Sequence, residues 1–330
     1  MADQPIGLLV MAYGTASGPD DIERYYTDIR GGRPPMPEHL EELKERYAAI
    51  GNRFPLLDIT RRQADGLAAE LNASAGREAF RAYLGMRHSP PFVADGVAMM
   101  RDDGIERAIG LVMAPHWSGM SVETYVDRVE RAVAEDGGPA FTFVRWWYDR
   151  SEFVEFLAGR VAVALAKLPA DDRDDAAVVF SAHSLPVRTL DDGSQRCLRC
   201  TAARCEASCT YRDQLRDTAG RVAAHLGLAQ HVSVAWQSAG RTADPWWGPP
   251  IEDEIDTLAA KGHPAVAVCS AGFVSDHLEI LYDLDIEAQE EAREAGIRLV
   301  RTEMPNGDPA FLRALAAVIR DHVEKEGIEP

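Results

Sequence analysis

Eight short apolar runs recur along the chain: IGLLVMAY (6–13), FRAYLG (80–85), AIGLVMA (108–114), FTFVRWW (141–147), AAVVFSA (176–182), HVSVAW (231–236), AVAVCSA (265–271) and IRLVRTEM (297–304). They are nearly continuous in hydrophobicity instead of alternating. That is the pattern of parallel strands covered on both faces. Amphipathic segments accompany them, the clearest at 119–135, 151–167, 211–226 and 308–323. Alternation of this kind predicts an α/β fold with parallel sheets.

A weak repeat divides the pattern in two. GLLVMAYGTA (7–16) is similar to AVVFSAHSLP (177–186), and VMAPHWSGMSVETY (112–125) to AVCSAGFVSDHLEIL (267–281), which aligns Glu123 with Glu279. The expectation is two Rossmann-like, doubly wound units. One spans 1–160 with a C-terminal helix (about 308–330) returning to it; the other spans 161–307 and carries an insertion at 187–212. Ligands of such sheets bind at the carboxyl ends of strands. Tyr13, His88, His116, His183 and the 272–279 loop mark those ends, so a cleft between the units is the expected site.

The 330 residues are 46% hydrophobic and 27% charged, a globular composition. Net charge is −18, from 35 basic and 53 acidic residues. That argues against a nucleic-acid surface, which needs a strong basic patch. It also means that an anionic ligand must be held by local Arg or Lys. The start, MADQPIGLLVMAYGT, lacks the basic region of a signal peptide. No stretch approaches the roughly 20 apolar residues of a membrane span. A cytoplasmic protein is expected, and clustered cysteines in a reducing compartment favour metal ligation over disulfides.

Four segments carry residues suited to chemistry. FSAHSLP sets His183 just beyond a buried strand, as a candidate base or metal ligand near neutral pH. In HLEILYDLDIEAQEE, Glu279, Asp283 and Glu287 fall at i, i+4 and i+8, one stripe of a helix. Such a stripe is either a solvated acidic face or a ladder of oxygen ligands along which a hydrated divalent cation moves. MAYGT sets Tyr13 at the mouth of the first strand, either as an ordinary buried aromatic or as a phenol facing a ligand. Arg30, Arg33, Arg46 and Arg53 lie near that mouth and suit bidentate carboxylate binding.

Together with GMRHSPPF, APHWSGMSVETY, WYD, WQSAG and PWWGPP, these strings resemble the ferrochelatase family in order and spacing over nearly the whole chain. The likeness is greatest to the coproporphyrin ferrochelatases of Gram-positive bacteria. It implies a monomer that inserts Fe2+ into coproporphyrin III, without integral membrane association and in transient contact with the downstream coproheme decarboxylase. It implies His183 and Glu279 as the catalytic pair, with Asp283 and Glu287 extending an acidic iron path. Tyr13 would face the other side of the macrocycle and ligate iron in the product; the protoporphyrin type resembles this chain with Met there. Arg30, Arg46, Tyr47, Arg87, His88, Ser121, Thr124 and Tyr125 would contact the porphyrin. The family usually has Lys-His where Arg87-His88 stands, and often Ser where Phe54 stands. Cobalt and nickel chelatases of other tetrapyrroles share the His–Glu logic, and a non-catalytic haem-binding chaperone or sensor is a third reading. The presence of both His183 and Glu279 argues against the last.

CLRCTAARCEASC (197–209) spaces Cys197, Cys200, Cys205 and Cys209 as C-x2-C-x4-C-x3-C. Spacing alone leaves zinc and iron–sulfur open, since both take four thiolates. Resemblance to those bacterial ferrochelatases that carry an internal cysteine-rich segment favours a 2Fe-2S cluster, with zinc the alternative. Cys269 lies inside a buried strand and reads as a small apolar residue.

Overall fold

A computed structural model of the chain describes residues 4–191, 193–198, 210–240 and 242–328. The eight apolar runs are the strands of two four-stranded parallel sheets. The first contains β1 (Ile6–Ala12), β2 (Phe80–Met86), β3 (Arg107–Val112) and β4 (Ala140–Val144). β5 (Ala177–His183) opens the second half. It is followed by a small antiparallel hairpin of β6 (Val187–Thr189) and β7 (Gln195–Cys197). β8 (Val232–Gln237), β9 (Ala265–Cys269) and β10 (Arg298–Arg301) complete the second sheet. β1 is buried along its whole length, as a central strand covered on both faces must be.

The strand orders are β2-β1-β3-β4 and β10-β9-β5-β8. Counting each sheet's own strands in chain order, both have the same arrangement, with the first strand paired to the second on one side and to the third on the other. The winding therefore reverses beside β1 and beside β5, and such reversal points leave a crevice at the strands' carboxyl ends. Tyr13 follows β1, and His183 ends β5. The repeat seen in the sequence is this shared topology. Glu123 and Glu279 both occupy the first turn of the helix that follows the third strand of their sheet.

Helix Ser151–Ala166 repeats apolar residues every fourth position (Phe153, Leu157, Val161, Leu165) and buries them all. It packs on helix Tyr211–Leu226, on β9 and on the C-terminal helix Pro309–Glu326. The last has Pro309 in its first turn, and its N-terminus is capped by Asp308, whose carboxylate accepts from the Ala310 N–H at 2.7 Å. It also packs on helix Leu56–Ala75. Phe311 meets Trp147, Phe153 and Phe156 with ring centres 5.6–6.5 Å apart. One continuous apolar cluster thus runs from β1 and β3 to β5 and β9, and it holds the two sheets' carboxyl ends in fixed relation.

The acidic stripe departs from a regular helix. Leu278–Leu281 forms one α-helical turn, and Asp283–Glu287 continues as a π-helix. There the Glu287 N–H reaches five residues back to the Tyr282 carbonyl, at 3.0 Å. Four residues overshoot a turn of the α-helix by about 40°. The wider π turn brings residues four apart closer to alignment, and such segments concentrate at functional sites.

Close approach at one glycine fixes the second sheet's site-bearing loops. A Cβ on Gly272 would lie 2.4 Å from Ala182 Cβ and 2.8 Å from its Cα, beside the strand end that carries His183. Gly272→Ala must displace backbone, so a loss of roughly 1–3 kcal/mol is expected. Urea unfolding measures it, and an unchanged midpoint would show that the loop yields freely.

Candidate active site

The end of β5 and the loop after β9 bring three titratable side chains together. His183 Nε2 lies 3.5 Å from Glu279 Oε1, and His277 Nε2 lies 3.5 Å from Glu279 Oε2. About a third of each of the first two side chains is open to the cleft, 34% and 31%. The backbone beneath them is held by buried polar groups. The Ser181 and Ser270 hydroxyls donate to Gln237 Oε1 at 2.8 and 3.0 Å, and Gln237 Nε2 donates to the Glu279 carbonyl at 3.0 Å. The Ser184 N–H donates to the Gln237 carbonyl, and the Ser184 hydroxyl to the Trp247 carbonyl, each at 2.8 Å. His183 Nδ1 donates to the Ser184 carbonyl.

Charge follows from this geometry. Burial opposes the imidazolium of His183, but the Glu279 carboxylate, the Ser184 carbonyl and the Asp283 charge together outweigh it and raise the pKa to about 9. Burial also pushes the Glu279 carboxyl up, but His183 and His277 more than offset that and hold it well below the usual carboxylate range. Asp283 is different. Burial and the Glu279 charge push it up to about 7. One oxygen takes a hydrogen bond from the Ser238 hydroxyl; the other is buried with no hydrogen-bond donor and faces Arg46 Nη1 at 3.7 Å.

Arg46 is drawn to the acidic ladder. It pairs with Glu287 at 3.3 Å and lies 4.7 Å above the Tyr282 ring. Tyr47 is 2% exposed, stacked on Phe54 at 4.5 Å with its hydroxyl 3.4 Å from the Thr15 hydroxyl, so it lies behind the cleft wall. Arg30 is exposed, 5.9 Å from the Tyr26 ring.

The second wall comes from the first sheet. Tyr13 is 40% exposed and packs on the His88 ring at 4.6 Å. Arg87 lies 5.8 Å from the Tyr13 ring and 5.9 Å from the Tyr125 ring, and donates to the Met120 carbonyl at 3.3 Å. Thr124 donates its hydroxyl to the Ser121 carbonyl at 2.7 Å, closing the helix start below Tyr125. His88 Nδ1 donates to Asp28 at 2.6 Å; burial holds its pKa down to about 4 although Asp28 pulls upward. Burial raises the Tyr13 phenol above its ordinary value, Arg87 lowers it, and the Glu279 charge raises it further. Tyr13 and Glu279 therefore share one field.

Sequence reasoning did not single out His277, Asp28, Gln237 or Ser238. His277 had only a weak signal, its place two residues before Glu279 in H-x-E; in the fold it is the residue just before the short helix that carries Glu279. Asp28 reaches His88 across 60 residues and had none. His116 is no part of the cleft. It is 2% exposed, bonded through Nε2 to the Thr218 hydroxyl at 2.8 Å, and burial holds its pKa down to about 3. Cys269 is buried in β9, where burial pushes its thiol up to about 12. Of the four clustered cysteines, Cys197 ends β7 with no exposure, while Cys200, Cys205 and Cys209 lie outside the described residues. Among the described residues, no three His, Cys, Asp or Glu side chains form a ready-made metal site.

The family model described as Ferrochelatase matches residues 5–323. The chain belongs to the ferrochelatase family. A coproporphyrin III ferrochelatase of Geobacillus kaustophilus is 43% identical over 328 residues, covering 99% of each chain. The one from Bacillus subtilis is 42% identical over 320 residues, covering 97% of this chain and 98% of its own. Among solved structures, the sirohydrochlorin chelatase SirB from Bacillus subtilis subspecies spizizenii, in complex with cobalt, superposes with a TM-score of 0.54 at 9% identity, covering 98% of both chains. DR2241 from Deinococcus radiodurans, described as similar to chelatases, gives 0.52 at 11% identity, covering 95% of this chain and 55% of its own. These two share the fold of this ferrochelatase-family chain. Among the described residues, no helix is long and apolar enough to cross a membrane.

The His183–Glu279 pair gives stability a defined pH dependence. His183 titrates at about 9 when folded, against 6.5 for an ordinary histidine. Its contribution is therefore complete below pH 6.5 and is lost as pH rises through 9. His183→Gln should flatten the stability–pH slope across that range by about one proton. Urea unfolding of the metal-free protein at pH 6, 7.5 and 9 reads this, and parallel wild-type and variant profiles would contradict it.

Proposed function

We propose that this chain inserts Fe2+ into coproporphyrin III, forming coproheme and releasing the two pyrrole protons. The observations that carry the reading are the His183–Glu279 pair, Tyr13 with Arg87 beside it, and the Glu279 charge acting on the Tyr13 phenol, which together suit a macrocycle held between the two groups. The names of relatives about 40% identical over the full chain support coproporphyrin III as the porphyrin. Four carboxylates on that substrate suit the cations near the cleft: Arg87, exposed Arg30, and Arg46, which a propionate would draw from Glu287. Ser121, Thr124 and Tyr125 form the floor beneath Arg87, Tyr47 backs the wall near Thr15, and His88 with Asp28 props the Tyr13 ring. The division near residue 160, with the C-terminal helix returned to the first unit, belongs to the same reading. So do a cytoplasmic location, a monomeric state and transient hand-over to the decarboxylase.

The chemistry starts from a proton in the wrong place. With Glu279 ionised beside it, His183 holds a proton at neutral pH and cannot accept another. A divalent cation arriving at Glu279 cancels that charge, so His183 releases its proton and becomes the base that takes the pyrrole N–H protons one after the other. Asp283, titrating at about 7, passes protons outward and, with Glu287, leads the ion inward. The Tyr13 phenol stays protonated on the opposite face and is set to meet the metal once it sits in the ring.

The four cysteines 197, 200, 205 and 209 are assigned to a 2Fe-2S cluster, with zinc as the alternative; iron insertion itself needs no redox partner, since Fe2+ keeps its oxidation state. Anaerobically purified protein should contain iron and labile sulfide in equal amounts with visible absorption, whereas zinc or no metal would overturn that assignment.

The test of the activity is an anaerobic Fe2+ assay with coproporphyrin III and protoporphyrin IX side by side. Coproporphyrin III should be preferred, and His183→Ala or Glu279→Gln should lower kcat by at least about 100-fold. Preference for protoporphyrin, or cobalt insertion into sirohydrochlorin with coproporphyrin ignored, would overturn the reading.

A further inference from the structure

Tyr211 stands outside everything assigned so far. It begins helix Tyr211–Leu226, two residues after Cys209, and is only 7% exposed. Its hydroxyl donates to the main-chain carbonyl of His183 at 3.0 Å. This contact reaches His183 from outside the sheet; the others holding that corner, through Ser184, come from the Gln237 carbonyl at the end of β8 and the Trp247 carbonyl in the loop beyond. The ring is clamped between Trp236, at 5.4 Å, and the edge of His116, at 6.3 Å.

The helix that Tyr211 opens is itself anchored to the other half of the molecule. Gln214 accepts from the Trp117 N–H at 2.8 Å and donates to the Trp117 carbonyl at 3.2 Å. One turn further on, Thr218 meets His116. His116 and Trp117 belong to the loop after β3, whose next residues, Met120 and Ser121, hold Arg87 and start the Tyr125 helix. A single rigid element therefore runs from the wall that carries Arg87 and Tyr125 to the carbonyl of His183.

We propose that Tyr211 is a positioning residue: its hydroxyl fixes the His183 backbone, and through its helix sets where the His183 wall stands relative to the Tyr13 wall. The proposal rests on the ferrochelatase reading of His183. It concerns the orientation of the base and not substrate contact, so it separates kcat from KM. Losing the hydroxyl lets the His183 peptide shift on a scale that matters little for holding a macrocycle. It matters much for a base that must reach a pyrrole N–H within hydrogen-bond distance.

Tyr211→Phe keeps the ring and its contacts with Trp236 and His116 and deletes only the donor. Its kcat for Fe2+ insertion should fall about three- to ten-fold. The porphyrin KM should stay within about two-fold. The His183 ring signals in a histidine-labelled NMR spectrum should move while the melting temperature changes little. Wild-type kcat with an unmoved His183 signal would overturn the proposal, as would a raised KM with kcat intact, which would make Tyr211 a substrate contact. A wild-type protein inert toward coproporphyrin III would overturn the functional reading instead, and the His183 signal would still decide the role of Tyr211.

Discussion

The contact on which the site depends is the ion pair of His183 and Glu279, 3.5 Å apart in a recessed cleft. Each group alone would resist its charge, because burial disfavours ionised forms. Together they hold both charges, and the result is a site that is neutral as a pair and basic only when the carboxylate is satisfied by something else. In the proposed function a divalent cation is that something. The arrangement makes proton acceptance conditional on the presence of metal, which suits a reaction in which two protons must leave as one ion enters.

Holding such a pair requires rigidity beneath it. Gln237 does this from the adjacent strand: its side chain links Ser181, Ser270 and the Glu279 carbonyl, while its own carbonyl receives the Ser184 N–H. Leaving any of these buried groups unpaired would cost about 1–3 kcal/mol. The duplicated topology then supplies a second strand end, whose Tyr13 feels the Glu279 charge. In the first half, the counterpart of Glu279 is Glu123, which accepts from the Trp117 indole at 3.1 Å and lies 3.5 Å from Arg145. One copy of the motif is held by an indole and a guanidinium, and the other by two titratable imidazoles.

Much of this was legible in the sequence. The strands were visible because buried parallel strands are continuous apolar runs, and their ends pointed to the candidate site. His183, Glu279 and Tyr13 stood out because each follows such an end. The departures have physical causes. Asp283–Glu287 has helical spacing, and nothing local in DLDIE announces a five-residue hydrogen-bond ring; the wider turn accompanies burial of Asp283 and Leu284 side by side. Arg46 reads as a ligand for a substrate carboxylate, yet the protein's own carboxylates lie within its reach. Asp28 and Gln237 act across long sequence separations, and no periodicity encodes that. The cysteine cluster was the most specific short motif in the chain, but the residues proposed to carry the chemistry lie elsewhere.

In the proposed function a macrocycle lies between the Tyr13 wall and the His183 wall, with metal and protons handled on the His183 side. The most direct measurement is a crystal structure of the protein with metal-free coproporphyrin III bound. The His183 imidazole should lie within hydrogen-bonding reach of the pyrrole nitrogens, with Tyr13 against the opposite face and propionates on arginine. A porphyrin bound outside this cleft, or one with Tyr13 and His183 on the same face, would contradict it.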